Sequence, residues 1–503
     1  MQEQIGKVWL VGAGPGDPGL LTLRGKEVLD EAQVVVYDAL VSPQVLSMIP
    51  AQARKIFAGK RSGHHFLKQE ETNRVLMDEA LRGNNVVRLK GGDPFLFGRG
   101  GEELELLVQN NIPFEIVPGV TSAFSVPAYN GIPVTHRDYC SSVHVITGHR
   151  RQSREYDIDF EALKNTGGTL IFLMGVSALP DICAGLLNAG MDPETPAAVL
   201  SRGTTARQAR IIATLGTLQD ECSRQEAVTP AVIVIGRVCA LAEEFAWYEK
   251  RELAGVRVLV TRPKELSSQL AKMLRQEGAE VLEVPAISVS PVKDQKPLQK
   301  AMEDLKNNLY DWMVFTSPSG VRIFMEQLLS QYDIRLLYKV KIAVIGQGSE
   351  KALNRFGIKP DFIPSVYDGQ TLGKELAQIC GNEDRILIPR ASIGNRELVE
   401  ELIKGRNLQI TDLAIYDTFY ESSDTADLKQ MFEDGEIDYA VFTSASTVRG
   451  FVQAVKDLDY HQVKAICIGR QTQAAAEEYG MQTSTSEKAS LDSLVQCLKD
   501  AVT

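Results

Sequence analysis

VGAGPGDPGLLTLRG, residues 11–25, decides the fold. It follows the apolar, β-branched run KVWLVG and leads into a helical pattern expected to begin around Leu20, so the chain passes from strand to glycine-packed turn to helix. Glycines there let backbone N–H groups approach a ligand, and the helix start favours negative charge. The dinucleotide fingerprint is broken, however. Gly12 and Gly14 fit it, but Asp17 stands where a third glycine would let the helix pack closely. A carboxylate also repels a pyrophosphate, so the loop suits a ligand without phosphates.

The same strand–turn–helix alternation runs through the rest of the amino-terminal half: AQVVVYD, NVVRLKGGDP, FEIVPG, SVHVITG, TLIFLMG, AAVLSRG and AVIVIG. This is α/β patterning, with largely parallel sheets covered by helices and ligands held outside the carboxyl ends of strands. The charged stretch LAEEFAWYEKRELAG then precedes a fresh strand, GVRVLVTRP. It places a boundary near Ala254, with a first domain over 1–245, a linker over 246–254 and a second domain over 255–503.

The second domain repeats itself. VRVLVTRP at 256–263 echoes DRILIPRA at 384–391, FTSPSGVRIF at 315–324 echoes FTSASTVRGF at 442–451, and KIAVIGQGSEKAL at 341–353 echoes KAICIGRQTQAAA at 464–476, in the same order. Such a duplication predicts two similar lobes with a ligand cleft between them. Each echo ends a strand with Ser, Thr or Gly ahead of a helix. That chemistry offers hydroxyls and N–H groups to an anion, or caps an ordinary helix.

The 503 residues are enough for about three compact units. A formal net charge of -11 argues against general adhesion to nucleic acid or an anionic membrane surface. The cysteines at 140, 183, 222, 239, 380, 467 and 497 form no CxxC pair, which fits reduced thiols. With neither a signal segment nor an apolar run of about 18 residues, a cytoplasmic enzyme is expected. His64, His65, His136, His144 and His149 lack metal-site spacing, so no metal is expected.

Six motifs in order, VGAGPGDPGLLTLRG, VVVYDALVS, GKRSGHH, VVRLKGGDPFLFGRGGEE, VPGVTSA and GIPVTHR, resemble those of uroporphyrinogen-III C-methyltransferase over about residues 5–240. The resemblance implies a two-lobed tetrapyrrole methylase that binds S-adenosylmethionine, releases S-adenosylhomocysteine and forms a homodimer. It further implies methylation of uroporphyrinogen III at C-2 and C-7 to give precorrin-2, towards sirohaem or cobalamin. Matched by motif, Pro15, Gly91, Gly92, Asp93, Leu96, Thr121, Ser122, Met174 and Gly203 would hold the donor, with Asp93 able to face its positive part. Asp38 and Lys60 match the proton acceptor and donor. Arg61, Arg99 and Arg137, together with Arg88, Lys90 and Arg150, are candidates for the substrate's carboxylates.

Residues 255–503 resemble uroporphyrinogen-III synthase through the lobe repeat and the FTS and IG motifs. The resemblance implies lobes of about 255–289 with 416–503, and 290–415, and cyclisation of hydroxymethylbilane with inversion of ring D. Tyr416, in LAIYDTFY, matches the tyrosine proposed to assist loss of the hydroxyl; its other reading is an interlobe anchor. Thr316, Ser317, Ser319, Ser349, Ser444 and Thr472 are expected at strand ends facing the cleft, binding carboxylates. Two further hypotheses compete with the bifunctional enzyme. One makes the back half a module that only binds or hands over substrate. The other is a dinucleotide-dependent oxidoreductase with Asp38 as the ribose acid, against which Asp17 weighs.

Overall fold

The computed structural model describes residues 5–59, 68–148, 158–261, 264–284, 287–393, 396–404, 407–420 and 426–503. By compactness the chain divides into two units: Met1–Val258 with Lys272–Glu283, and Leu259–Ala271 with Val284–Thr503.

The first unit opens with β1 (Val8–Gly12), β2 (Val34–Tyr37), β3 (Arg54–Phe57), β4 (Val86–Lys90) and β5 (Phe114–Val117), a parallel sheet in the order β3-β2-β4-β1-β5. Every residue of β1 and β4 is buried, as strands covered on both faces require. The helix expected at Leu20 starts later. Pro18–Leu20 is a 3-10 turn capped by Asp17, and the helix Leu23–Asp30 begins where Thr22 accepts from Gly25 N at 3.0 Å.

A second sheet follows: β6 (Val143–Thr147), β7 (Thr169–Leu173), β8 (Pro196–Ser201), β9 (Ala209–Thr214) and β10 (Ala231–Ile235), in the order β6-β7-β10-β8-β9. Only β6 and β7 pair parallel; β10 runs antiparallel to β7 and β8, and β8 to β9. The expectation of largely parallel sheets fails here. Residues 202–208 hold no crossover helix, so β9 must return beside β8 in the opposite sense. The helix Ser122–Tyr129, which leaves the β5 end of the first sheet, buries Ala123 and Val126 against Ile171, Ala198 and Leu200 of the second, and so fixes the two sheets together.

The segment after β10 is bound to that helix. Trp247 Nε1 donates to Ala128 O at 2.9 Å, the Trp247 and Tyr248 rings lie 5.2 and 5.1 Å from Tyr129, and Arg251 stacks on Tyr248 at 4.2 Å. From Lys272–Glu283, Glu280 accepts the Ala206 N–H at 2.8 Å and pairs with Arg257 at 3.1 Å, while Leu253 N donates to Glu277 O at 2.9 Å.

Later strands are β11 (Arg257–Thr261), β12 (Glu280–Glu283), β13 (Ile287–Pro291), β14 (Trp312–Phe315), β15 (Lys341–Val344), β16 (Arg385–Ala391), β17 (Gln409–Tyr420), β18 (Tyr439–Phe442), β19 (Lys464–Cys467) and β20 (Gln482–Thr485). They form two sheets, β12-β11-β18-β19-β20 and β13-β17-β16-β14-β15. The sequence repeat is visible in space: β11-β18-β19 and β16-β14-β15 occupy matching places, and the lone parallel bridge Ala343↔Phe362 stands where β20 pairs with β19 in the other copy. β13 and all of β17 belong to one sheet, so the chain changes sheet between β12 and β13 and between β17 and β18. The sequence reading set those changes at about 289 and 416. No helix among the described residues is long and apolar enough to cross a membrane.

Candidate active sites

Three glycine loops meet at the carboxyl ends of β4, β1 and β5. Gly14 N donates to Gly92 O at 3.2 Å and Gly92 N to Gly14 O at 2.8 Å. A Cβ on Gly12 would stand 2.4 Å from Gly119 Cα and 2.6 Å from Gly92 O, so only glycine allows this approach. Gly92 differs: its φ is +67°, and the nearest atom to an added Cβ is Ser122 N at 4.0 Å. Its side-chain direction points into space.

The other donor candidates surround that space. Thr121 caps the helix Ser122–Tyr129 by accepting from Ala123 N, and Ser122 is its first residue. Pro15 and Leu96 are half-buried, Leu96 against the core of the second sheet. Met174 follows β7 at φ +54°, with its side chain exposed. Gly203 lies against Val126, where a Cβ would come within 2.4 Å of its side chain. The neighbouring Thr204 Oγ1 accepts from Asp17 N at 3.3 Å, tying the second sheet to the first glycine loop.

Two acidic residues turn out to brace loops. Asp17 accepts from Gly19 N at 2.7 Å and from the Tyr129 hydroxyl at 2.8 Å; burial and then the Asp17 charge hold the Tyr129 phenol well above its usual range. Asp93, expected to face the donor's positive part, spends both oxygens on backbone N–H groups, those of Phe95 at 2.8 Å and Gly119 at 3.0 Å. Its carboxylate thus also shapes the loop.

Asp38, just beyond β2, accepts from Leu40 N at 3.0 Å and Gly91 N at 3.4 Å through Oδ1, while Oδ2 lies 3.7 Å from an Arg88 Nη. Arg88 and Lys90, read as candidates for substrate carboxylates, are instead 5% and 4% exposed and bound to Glu103. Glu103 is 0% exposed, and its Oε1 takes Arg88 Nε at 3.1 Å, Lys90 Nζ at 2.8 Å and Gln69 Nε2 at 3.2 Å. Burial alone would push the Glu103 carboxyl up, but the two cations outweigh it and hold it below the usual range. Burial, then Arg88, lowers the Lys90 ammonium. Sequence reasoning missed Glu103 because EE in the first turn of a helix looks like solvent-facing charge complementing the helix dipole.

Lys60, Arg61, His64, His65, His149 and Arg150 lie outside the described residues. Arg99 and Arg137 are exposed, Arg99 with its Nε on Glu102 at 3.0 Å.

In the second unit, Tyr416 and Ser317 come together, hydroxyl to hydroxyl at 2.9 Å. The β16–β17 register slips by one residue here, pairing Arg390 with Ala414 and Ala391 with Tyr416. A bulge of this kind re-aims the side chain. Tyr416 is 6% exposed, and burial raises its phenol pKa despite the Ser317 bond, so it carries its proton at neutral pH. Ser317 also caps the helix Pro318–Gln331 by accepting from Gly320 N at 3.0 Å. Ser444 does the same for Ala445–Ala454, its counterpart in the repeat. Thr316 is half-buried at the end of β14.

Ser319, Ser349 and Thr472 lie in first helical turns, not at strand ends, and are only 8%, 1% and 3% exposed. Ser349 and Thr472 occupy the same third position after the caps Gly346 and Gly469, so the repeat extends to individual hydroxyls.

Comparison with known proteins places these features. The family described as "Tetrapyrrole (Corrin/Porphyrin) Methylases" matches residues 7–219, and "Uroporphyrinogen-III synthase HemD" matches 268–496. The chain is 45% identical over 494 residues to "Porphyrin biosynthesis protein HemD" of Ruminiclostridium josui, covering 98% of this chain and 97% of that one. It is 38% identical over 363 residues to "Uroporphyrinogen-III C-methyltransferase" of Bacillus subtilis, covering 71% and 74%. The uroporphyrin-III C-methyltransferase of Thermus thermophilus, solved with S-adenosyl homocysteine, is 40% identical with a TM-score of 0.41, covering 47% of this chain and 99% of that one. A tetrapyrrole methylase region followed by a uroporphyrinogen-III synthase region, matched end to end by such a relative, makes this chain a member of the porphyrin biosynthesis HemD family.

Proposed function

We propose that this two-part tetrapyrrole biosynthesis enzyme closes hydroxymethylbilane to uroporphyrinogen III with ring D inverted, then methylates that product at C-2 and C-7 to give precorrin-2. The first activity is assigned to 255–503 and the second to 1–245, with 246–254 between them. The observation that carries the reading is the open space in front of Gly92, bounded by Thr121–Ser122, with Asp38 at the adjoining strand end.

S-adenosylmethionine fits that place. Its glycine walls admit a ligand to the backbone, Asp17 is occupied with N–H and O–H donors, and Asp93, bonded to the N–H groups of Phe95 and Gly119, is assigned to face the donor's positive part. When bound it supplies an electrophilic methyl group. Pro15, Gly91, Gly92, Asp93, Leu96, Thr121, Ser122, Met174 and Gly203 would hold it, so that little beyond alignment and proton removal is needed. Asp38 is the proton acceptor at Oδ2, because Oδ1 is engaged by two N–H groups. Lys60 is the proton donor, and Arg61, Arg99 and Arg137 bind carboxylates of the substrate.

In the synthase region, Tyr416 is the acid that assists departure of the hydroxyl. Its retained proton and the Ser317 contact support that role. Thr316, Ser317, Ser319, Ser349, Ser444 and Thr472 are assigned to substrate binding, through the N–H groups of the turns they shape as much as through hydroxyls. A homodimer formed through the amino-terminal region belongs to the same reading, supported by the exposed Phe95, Phe97 and Phe124. So does a cytoplasmic location, supported by cysteines that form no disulfide among the described residues, with neither nucleic acid nor membrane as a partner.

The test is direct. Protein given hydroxymethylbilane and S-adenosylmethionine is expected to yield precorrin-2; formation of the symmetric type I macrocycle alone removes the synthase assignment, and failure to methylate supplied uroporphyrinogen III removes the other.

A further inference from the structure

Beneath Asp38 lies a set of charges that substrate does not reach. Arg88 sends Nε to Glu103, one Nη to the carbonyls of Val36 and Leu89, and leaves the other 3.7 Å from Asp38 Oδ2, beyond hydrogen-bond length. The guanidinium is thus held by three buried acceptors and kept just short of the base. Glu103 Oε1 collects three donors while Oε2 has no hydrogen-bond partner among the described residues. Two cations, Arg88 and Lys90, face two carboxylates, Asp38 and Glu103, so the group is balanced in charge.

We propose that Glu103 is the positioning residue of the methyl-transfer site, acting on Asp38 through Arg88. The inference rests on the proton-acceptor role assigned to Asp38. Without the carboxylate at 103, nothing of opposite charge draws Nε of Arg88 back. The guanidinium then closes onto Oδ2, the oxygen meant for the proton, and makes Asp38 a weaker base. Among the described residues, the charged groups that the structure brings to Asp38 and Glu103 are Arg88 and Lys90, both on β4; the helix Gln69–Leu81 adds the uncharged Gln69.

The experiment uses the full-length protein with uroporphyrinogen III and S-adenosylmethionine, and compares wild type with Glu103→Gln and Lys90→Met/Glu103→Gln. The double variant keeps the buried charges balanced, so it folds even where a single neutralisation does not. Both are expected to lose about 10- to 100-fold in kcat while calorimetry shows S-adenosylhomocysteine binding unchanged. The acid limb of the rate profile should move to lower pH by about one unit, as a carboxylate paired more tightly to a guanidinium must. A structural role alone would lower Tm and leave the limb of the folded fraction in place. A wild-type limb and kcat in the double variant overturn the proposal. Failure of the underlying reading is distinguishable, since then the wild type fails to turn over or Asp38→Asn keeps its rate.

Discussion

Gly92→Ala separates folding from donor binding, because the structure gives the new methyl group room and the wrong direction. At φ +67° an L-residue is strained by about 1–2 kcal/mol. With nothing nearer than 4.0 Å, no steric cost adds to this. A melt should therefore fall by only about 2–8 °C at the 2–4 °C per kcal/mol typical of a unit this size. The methyl group stands in the space assigned to the donor, so calorimetric titration with S-adenosylhomocysteine should show at least about a tenfold rise in Kd, worth roughly 1.4 kcal/mol. Gly12→Ala is the counterpart. Its Cβ meets Gly119 Cα, Gly119 N and Gly92 O within 2.6 Å, all backbone, and overpacking of that kind costs about 3 kcal/mol. Gly12→Ala should therefore be damaged mainly in Tm, Gly92→Ala mainly in affinity. Wild-type affinity in Gly92→Ala, or a melt as low as that of Gly12→Ala, refutes the placement of the donor.

Other outcomes are as specific. Asp38→Asn should lower methyl transfer by about 10²–10⁴ with donor binding retained, read as turnover at saturating substrate against calorimetric Kd. Tyr416→Phe should slow formation of uroporphyrinogen III and raise the share of type I product, whereas Ser317→Ala should additionally cost about 1 kcal/mol by chemical denaturation through the lost cap. Glu115, held down to about 2 by Lys7 first and then Arg24, stabilises the fold above its unfolded value near 4.5, and that contribution disappears as pH falls towards 2. Glu115→Gln should accordingly flatten the acid side of the stability–pH curve and leave neutral pH less stable. Gly101→Ala, exposed on the helix Gly100–Gln109 with nothing within 4 Å of its Cβ, should raise stability by about 0.5–1 kcal/mol in the same denaturation assay.

What could be read from sequence was whatever depends on neighbours along the chain. The glycine loop after β1, the strand ends carrying Asp38 and Gly91–Asp93, and the duplicated FTS and IG turns all follow from local pattern. The caps Ser317 and Ser444 kept their places because a capping serine needs only the backbone three residues on. Properties set by distant partners were not legible. That Asp93 also braces the loop after β5, through the N–H of Gly119 26 residues away, is one of them. Arg88 and Lys90 looked like substrate cations until Glu103 proved to be buried beneath them. The direction of β9 depended on the absence of a helix over 202–208, a length too short to distinguish by periodicity. Lys60 and Arg61 fall outside the described residues, and their roles rest on motif alone.

The carboxylate at Glu280 sets where the amino-terminal region can be cut from the rest of the chain. A front fragment ending at 254 would leave Ala206 N–H and Leu253 N–H without the acceptors that 277–280 provide, and Ala206 lies two residues beyond Thr204, which reaches the first glycine loop. Anyone expressing the methylase alone should therefore extend it through Glu283.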